Sequence, residues 1–197
     1  MTMFSMPHVI SVLLVVQLIQ PKPEDKYVTD QLSDRHQLIQ KRLRDEGDKL
    51  LAIFEALNDE QWSMALYTDG AVWTIKDMLA HQISAEREFQ HYGRDILAGG
   101  SGAPEDFSIN TFNNAAVVSM ADRTAADLLD ALRVTRQDTI DLVATIAEAD
   151  FARQGRHPYF GLMTIEDMFK LIYRHNMMHA RDLRRVLETT TLGGAKS

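Results

Sequence analysis

Seven histidines stand in a chain that has no cysteine, so any metal must be held by imidazole and carboxylate groups. His175 and His179 are four residues apart. On a helix that spacing points both rings the same way and lets them share one ion. They sit in TIEDMFKLIYRHNMMHARDLRRVL, residues 164–187. Thr164, with Asp167 three residues on, is a helix start of the capping-box type. Counted from there, Met168, Leu171, Ile172, Met178, Leu183 and Val186 fall on one side. Glu166, Lys170, Arg174, Arg181 and Arg184 fall on the other. The two histidines lie within the apolar face. A second stretch, TIKDMLAH over residues 74–81, opens with the same phrase. It carries His81 on an inner face with Met78, Ala85, Phe89, Tyr92 and Ile96. Three neutral imidazoles with open positions suit Zn²⁺, Ni²⁺ or Fe²⁺, with water or substrate completing the shell. Ligating histidines usually give their second N–H to a carboxylate or carbonyl. Asp77, Glu88 and Asp182 lie near the inner faces and are the candidates. The alternative is three histidines that merely pack in a core. HExxH is absent, since Asn176 follows His175, which disfavours a zincin-type protease.

Four long helices would position these rings. The first is predicted over Tyr27 to Leu57, with Leu32, His36, Ile39, Leu43, Leu50, Ile53, Phe54 and Leu57 as its stripe. Gly47 weakens it in the middle by about 1 kcal/mol relative to Ala. His36 reads as a packing or surface histidine rather than a fourth metal ligand. Residues 58–73 form a connection; Trp62 and Trp73 are expected to seal a core end, with pocket lining as the alternative. The second helix runs from Thr74 to Ala98 and stops at Gly99–Gly100. His91 falls outside its apolar face. Residues 99–123 are the longest internal connection, as in bundles with a long crossover between helices 2 and 3. The third helix spans Thr124 to Glu148, with Leu128, Leu129, Leu132, Ile140, Val143 and Ile146 as core. Residues 150–163 read as a compact loop into the fourth helix, and the tail after Leu187 is expected to fray. No strong strand pattern is present. If helices 2 and 3 run parallel, helix 4 runs antiparallel to helix 2. At 1.5 Å per residue His81 then lies about 10 Å from its helix start and His179 about 14 Å from its helix end, a similar level.

A chain of 197 residues fits one domain, here 25–190, with 191–197 as a flexible tail. Apolar residues are 45% and charged residues 25%, a globular mixture. A net charge of −7 argues against a nucleic-acid phosphate binder. Residues 1–24 look appended. The run VISVLLVVQLI, residues 9–19, is shorter than the roughly 20 residues a membrane span needs. It lacks the basic flank and cleavage site of a signal peptide. A loose extension, a segment packed on the body or a partner, and an export signal are the readings it leaves. A cytoplasmic location is the expectation, and this apolar terminus suggests a homodimer.

The motifs W-T-I-K-D-M-L-A-H (73–81), F-N-N-A-A-V (112–117), G-R-H-P-Y-F-G (155–161) and R-H-N-M-M-H-A-R-D-L (174–183) together resemble the DinB-like superfamily. That group includes the maleylpyruvate isomerase N-terminal domain and the bacillithiol-transferase-like proteins. The resemblance covers roughly residues 30–188 and leaves out the first 24. It implies an all-α four-helix bundle with up-down-down-up connectivity and a divalent metal on His81, His175 and His179. It implies a small-molecule substrate and a low-molecular-weight thiol of the mycothiol or bacillithiol type, used for transfer or isomerisation in detoxification. The sulfur would have to come from that thiol. No evident C-terminal domain of the isomerase type follows. Asn113 and His157 match loop positions facing the metal; a cap hydrogen bond for Asn113 and a turn role for His157 are the plainer readings. Three functions stay open: a thiol-dependent transferase or isomerase, a hydrolase using bound water, and a non-enzymatic stress-response or binding protein with a structural metal.

Overall fold

Each long helix begins where a hydroxyl side chain can satisfy the first free backbone N–H groups. In the computed structural model, which describes residues 32–68 and 72–194, Ser33 caps α1 (Asp34–Glu55). Thr74 with Asp77 forms a complete capping box on α3 (Ile75–Leu97), and Thr124 with Asp127 does the same on α5 (Ala125–Thr145). The Thr164 hydroxyl accepts from Asp167 N and donates to the Asp167 carboxylate at the start of α6 (Ile165–Gly194). Between these lie the single turn α2 (Asp59–Trp62), the antiparallel pair β1 (Ala65–Tyr67) and β2 (Trp73–Thr74), and α4 (Ile109–Ser119). A 3₁₀ turn (Glu148–Ala152) then precedes the hairpin of β3 (Gln154–His157) and β4 (Gly161–Thr164).

Side-chain pairs fix the direction of every long helix. His36 reaches Ile146 O and Arg133 reaches Glu55, so α1 and α5 are antiparallel. Lys76 reaches Ala121 O just before α5, and Gln90 bonds Thr139, so α3 and α5 are parallel. His81 meets His175 while a Cβ on Gly93 would touch Phe169, so α3 and α6 are antiparallel. The bundle is therefore all-α in its core with up-down-down-up connectivity, and residues 98–124 form the crossover. α1 and α3 each pack against both α5 and α6.

Two apolar clusters fill the bundle. One gathers Ile39, Leu43, Phe89, Ile140, Met168 and Phe169; the other gathers Leu50, Phe54, Met78, Leu79, Leu128 and Leu183. Along each long helix the residues between the two clusters are polar and buried: Glu46 on α1, Gln82 and Glu86 on α3, Thr135 and Arg136 on α5, Asn176 and His179 on α6. The Arg136 guanidinium grips both oxygens of Glu86 (2.8 and 2.7 Å) and donates to Leu43 O. Thr139 donates to Glu86 at 2.6 Å, and Gln90 donates to Thr139 at 2.8 Å. With its amide oriented to suit its neighbours, Asn176 donates to Gln82 (2.8 Å) and Ile172 O (3.0 Å) and accepts from Arg136. Gly47 has its reason here. A Cβ at that position would stand 2.6 Å from Arg136 Nη1, and the guanidinium cannot retreat without leaving Glu86.

Several expectations are corrected. The first helix starts at Asp34, not Tyr27, because Ser33 takes an extended conformation and caps it. The connections 58–73 and 150–163 hold short strand pairs; strands of two to four residues are too short to print a period. The long connection contains α4, whose only buried residue is Val117. The last helix continues past Leu187 to Gly194. Met178, placed inside by periodicity, is 44% exposed. Leu97 ends α3 and Gly99 follows at φ +94°, a turn that glycine adopts without strain. The segment 1–24, and the homodimer expectation resting on it, lie outside the described residues. Among the described residues no helix is long and apolar enough to cross a membrane.

Candidate metal centre

His81 comes from the second turn of α3, and His175 and His179 come from successive turns of α6. Antiparallel packing brings them face to face at the polar level of the bundle. His175 Nε2 is 2.9 Å from His179 Nε2 and 3.3 Å from His81 Nε2, and the ligand atoms of all three lie within 4.8 Å of one another. Nitrogens bound to one ion at about 2.0–2.1 Å stand about 2.9 Å apart at a right angle and about 3.4 Å apart at a tetrahedral one. The separations from His175 to the other two rings fall in that interval, and the three rings form a group that could hold a divalent cation.

The electrostatics agree with that fit. Burial lowers the pKa of all three rings. His81 is brought down to about 3 by burial and by His179, against the opposing pull of Asn113. His179 falls to about 4 through burial, with Asp182 pulling the other way. His175 is pushed well below the ordinary value by burial, then by His179, His81 and His157. Neutral rings offer lone pairs to a cation. The tautomer of His179 is fixed as well. Tyr67 donates its hydroxyl proton to Asp182 (3.0 Å) and so accepts from His179 Nδ1–H (2.7 Å). That leaves His179 Nε2 as a bare lone pair aimed at the other two rings. Burial and the bond to Asp182 raise the Tyr67 pKa, so the phenol stays protonated in this role. His81 Nδ1 is buried without a hydrogen-bond partner among the described residues.

The triad opens on a pocket of about 590 Å³. Its walls are apolar side chains of four elements: Phe89 and Tyr92 from α3, Phe112 from α4, Leu171 from α6 and Phe160 from the β3–β4 turn. The crossover thus has a function in the architecture, since α4 closes one side of the pocket and sets Asn113 in its wall.

The residues singled out by sequence separate into groups. His81, His175 and His179 meet. Asp182 joins the set through Tyr67 rather than by touching a ring. Glu88, Asn113 and His157 line the pocket. Asp77 does not serve a histidine: its carboxylate accepts from Thr74 N and Oγ1 (both 2.8 Å) and completes the cap. His36 donates to Ile146 O (2.7 Å) and is a packing residue, and His91 is exposed. The tryptophans divide: Trp62 stacks on Phe54 at 5.6 Å, whereas Trp73 lies 5.1 Å from the His81 ring and lines the pocket. Tyr67 was not visible as a site residue, because nothing in its local sequence ties it to a histidine 112 positions away.

Comparison with known proteins places this geometry. No curated protein sequence matches. YfiT from Bacillus subtilis, described as a probable metal-dependent hydrolase with an unusual four-helix bundle topology, superposes at a TM-score of 0.65 with 15% identity, covering 87% of this chain and 93% of its own. The mycothiol-dependent maleylpyruvate isomerase superposes at 0.64 with 12% identity over 75% of this chain. This chain spans 60% of that isomerase's length. The colibactin self-resistance protein ClbS, solved in complex with dsDNA, gives 0.60 with 13% identity, covering 76% of this chain and 95% of its own. At such identities these structures share the fold. The family model described as DinB superfamily matches residues 29–183, and with that much of its length accounted for the chain belongs to the DinB superfamily.

Proposed function

We propose that the protein is a metal-dependent enzyme in which His81, His175 and His179 hold a divalent ion (Zn²⁺, Ni²⁺ or Fe²⁺) and a small thiol is transferred to an electrophilic small molecule. One observation carries this reading: three neutral imidazole nitrogens converge on the wall of an apolar pocket large enough for a substrate. A metal bound there would lower the pKa of a thiol or water at its open position and so supply a nucleophile near neutral pH. The residues of the chain do the rest. Tyr67 and Asp182 hold the His179 ring in the ligating tautomer. The aromatic walls exclude water and bind the body of the electrophile. The sulfur comes from a cosubstrate of the mycothiol or bacillithiol type, since the chain has no cysteine.

A purely structural metal would want a fourth protein ligand. Among the described residues the only such group of metal-ligating side chains is the three histidines, which favours an open site. A second reading, hydrolysis by bound water, draws on Glu88. It is the one carboxylate among the described pocket-lining residues, and a carboxylate there could take a proton from water.

The experiment is metal analysis of protein purified without chelator or histidine tag, followed by turnover of electrophiles with and without added thiols. The expected result is near one metal per chain and thiol-dependent turnover, both lost in His175→Ala with the fold intact. Turnover without thiol assigns the hydrolase reading. Bound metal with no turnover across several thiols and esters overturns the enzymatic reading.

A further inference from the structure

One polar group of the pocket wall, His157, has its orientation fixed by backbone hydrogen bonds and keeps a donor free on its far side. His157 ends β3 and is nine-tenths buried. Its Nδ1 accepts two backbone N–H groups, from Tyr159 at 3.1 Å and Phe160 at 3.2 Å. An atom accepting two hydrogens carries none itself, so the proton of the neutral ring is on Nε2. The ring cannot turn over to exchange the two nitrogens. Phe89 stacks on it at 5.3 Å and 23°, and Phe160 leans on it at 5.2 Å. Nε2–H has no hydrogen-bond partner among the described residues and is not among the sealed polar atoms of the core. His157 lines the pocket together with His175. Burial also holds the ring in its neutral form, with a pKa of about 4.

A fixed, unpaired donor beside the aromatic side chains Phe89 and Phe160 indicates the ligand that answers it. The ligand brings one hydrogen-bond-accepting oxygen and an apolar, preferably aromatic, body. We infer that His157 is the specificity residue of the pocket, donating Nε2–H to the carbonyl oxygen of an aromatic or alkyl carbonyl compound bound beside the histidine triad. This rests on the pocket being the substrate site proposed above, and it does not depend on a metal being present.

The test compares two probes of similar shape, acetophenone and isopropylbenzene, binding to chelator-treated and to metal-loaded protein by ligand-observed NMR. A net hydrogen bond inside a pocket corresponds to about a fivefold preference. His157→Phe is expected to weaken acetophenone by about that factor while changing isopropylbenzene less than twofold. His157→Gln, which keeps an N–H donor, is expected to retain part of the preference. A reading that needs no variant is the ¹⁵N shift of His157 Nε2 in histidine-labelled wild type, which should move with acetophenone and stay in place with isopropylbenzene. Equal weakening of both probes, an unmoved Nε2 with acetophenone bound, or no binding of either probe overturns the proposal. A preference that appears only with metal and survives in His157→Phe also overturns it. If the preference holds in chelator-treated protein that takes up no metal, the donor role stands and the metal reading alone fails.

Discussion

Two polar clusters lie at the same level of this bundle, between its two apolar halves. The Glu86–Arg136 cluster is saturated: guanidinium, carboxylate, Thr139, Gln90, Asn176 and Leu43 O answer one another donor to acceptor. The histidine cluster is the reverse. Three imidazole nitrogens crowd together, and with its proton on Nδ1 the His179 Nε2 faces the other two rings as an acceptor. Both clusters cost desolvation. Only the first recovers that cost within the chain, so it fixes shape. The second leaves ring nitrogens that a cation from outside could take up, so it is the candidate site.

Removing one member should therefore do different damage in the two clusters. The largest effect is expected from Arg136→Met, which strands a buried carboxylate. It should destabilise by about 3–5 kcal/mol in urea unfolding. Adding Glu86→Leu should restore much of that loss, since the pair then leaves together. A loss confined to metal affinity would contradict the division. Next comes Tyr67→Phe. It should leave the urea midpoint within about 1 kcal/mol and weaken metal binding roughly 10–100-fold, because the His179 tautomer is no longer held. Competitive chelator titration measures this.

Acidification sharpens the contrast in metal-free protein. An imidazole in the unfolded chain takes a proton near 6.5, whereas folded His81 and His179 resist to about 3 and about 4. The unfolded state then binds more protons in that window. Stability is fully present above pH 6.5 and falls as the pH drops toward 4. Replacing His81 with Phe should flatten that slope in a series of urea midpoints. The smallest effect is expected from Asp77→Ala: about 1 kcal/mol through loss of the cap on α3, with metal stoichiometry unchanged. Lost metal in that variant, with the helix intact, would return Asp77 to the site.

The fold and the triad were legible because both are local patterns repeated. Thr74 with Asp77 and Thr164 with Asp167 announce helix starts three residues in advance. The spacing of His175 and His179 survives on any straight helix. Crossing one bundle axis with antiparallel helices then leaves His81 little choice of level. The short strands were not legible, since β2 is two residues long and draws its stability from pairing rather than from its own alternation. Gly47 looked like a weakness of α1; its value lies in Arg136, which comes from another helix.

By itself the sequence determined the four long helices, most of their inward faces and the three rings that could share an ion, because helix period and caps act within a few residues. Tertiary structure alone decided the partners. It took Asp77 for a cap, gave His179 to Tyr67, paired Glu86 with Arg136 across 50 positions, and set His157 in the pocket wall. The reason is one of range: a hydrogen bond needs its two atoms about 3 Å apart, and between residues far apart in the chain only the packing of elements sets that distance.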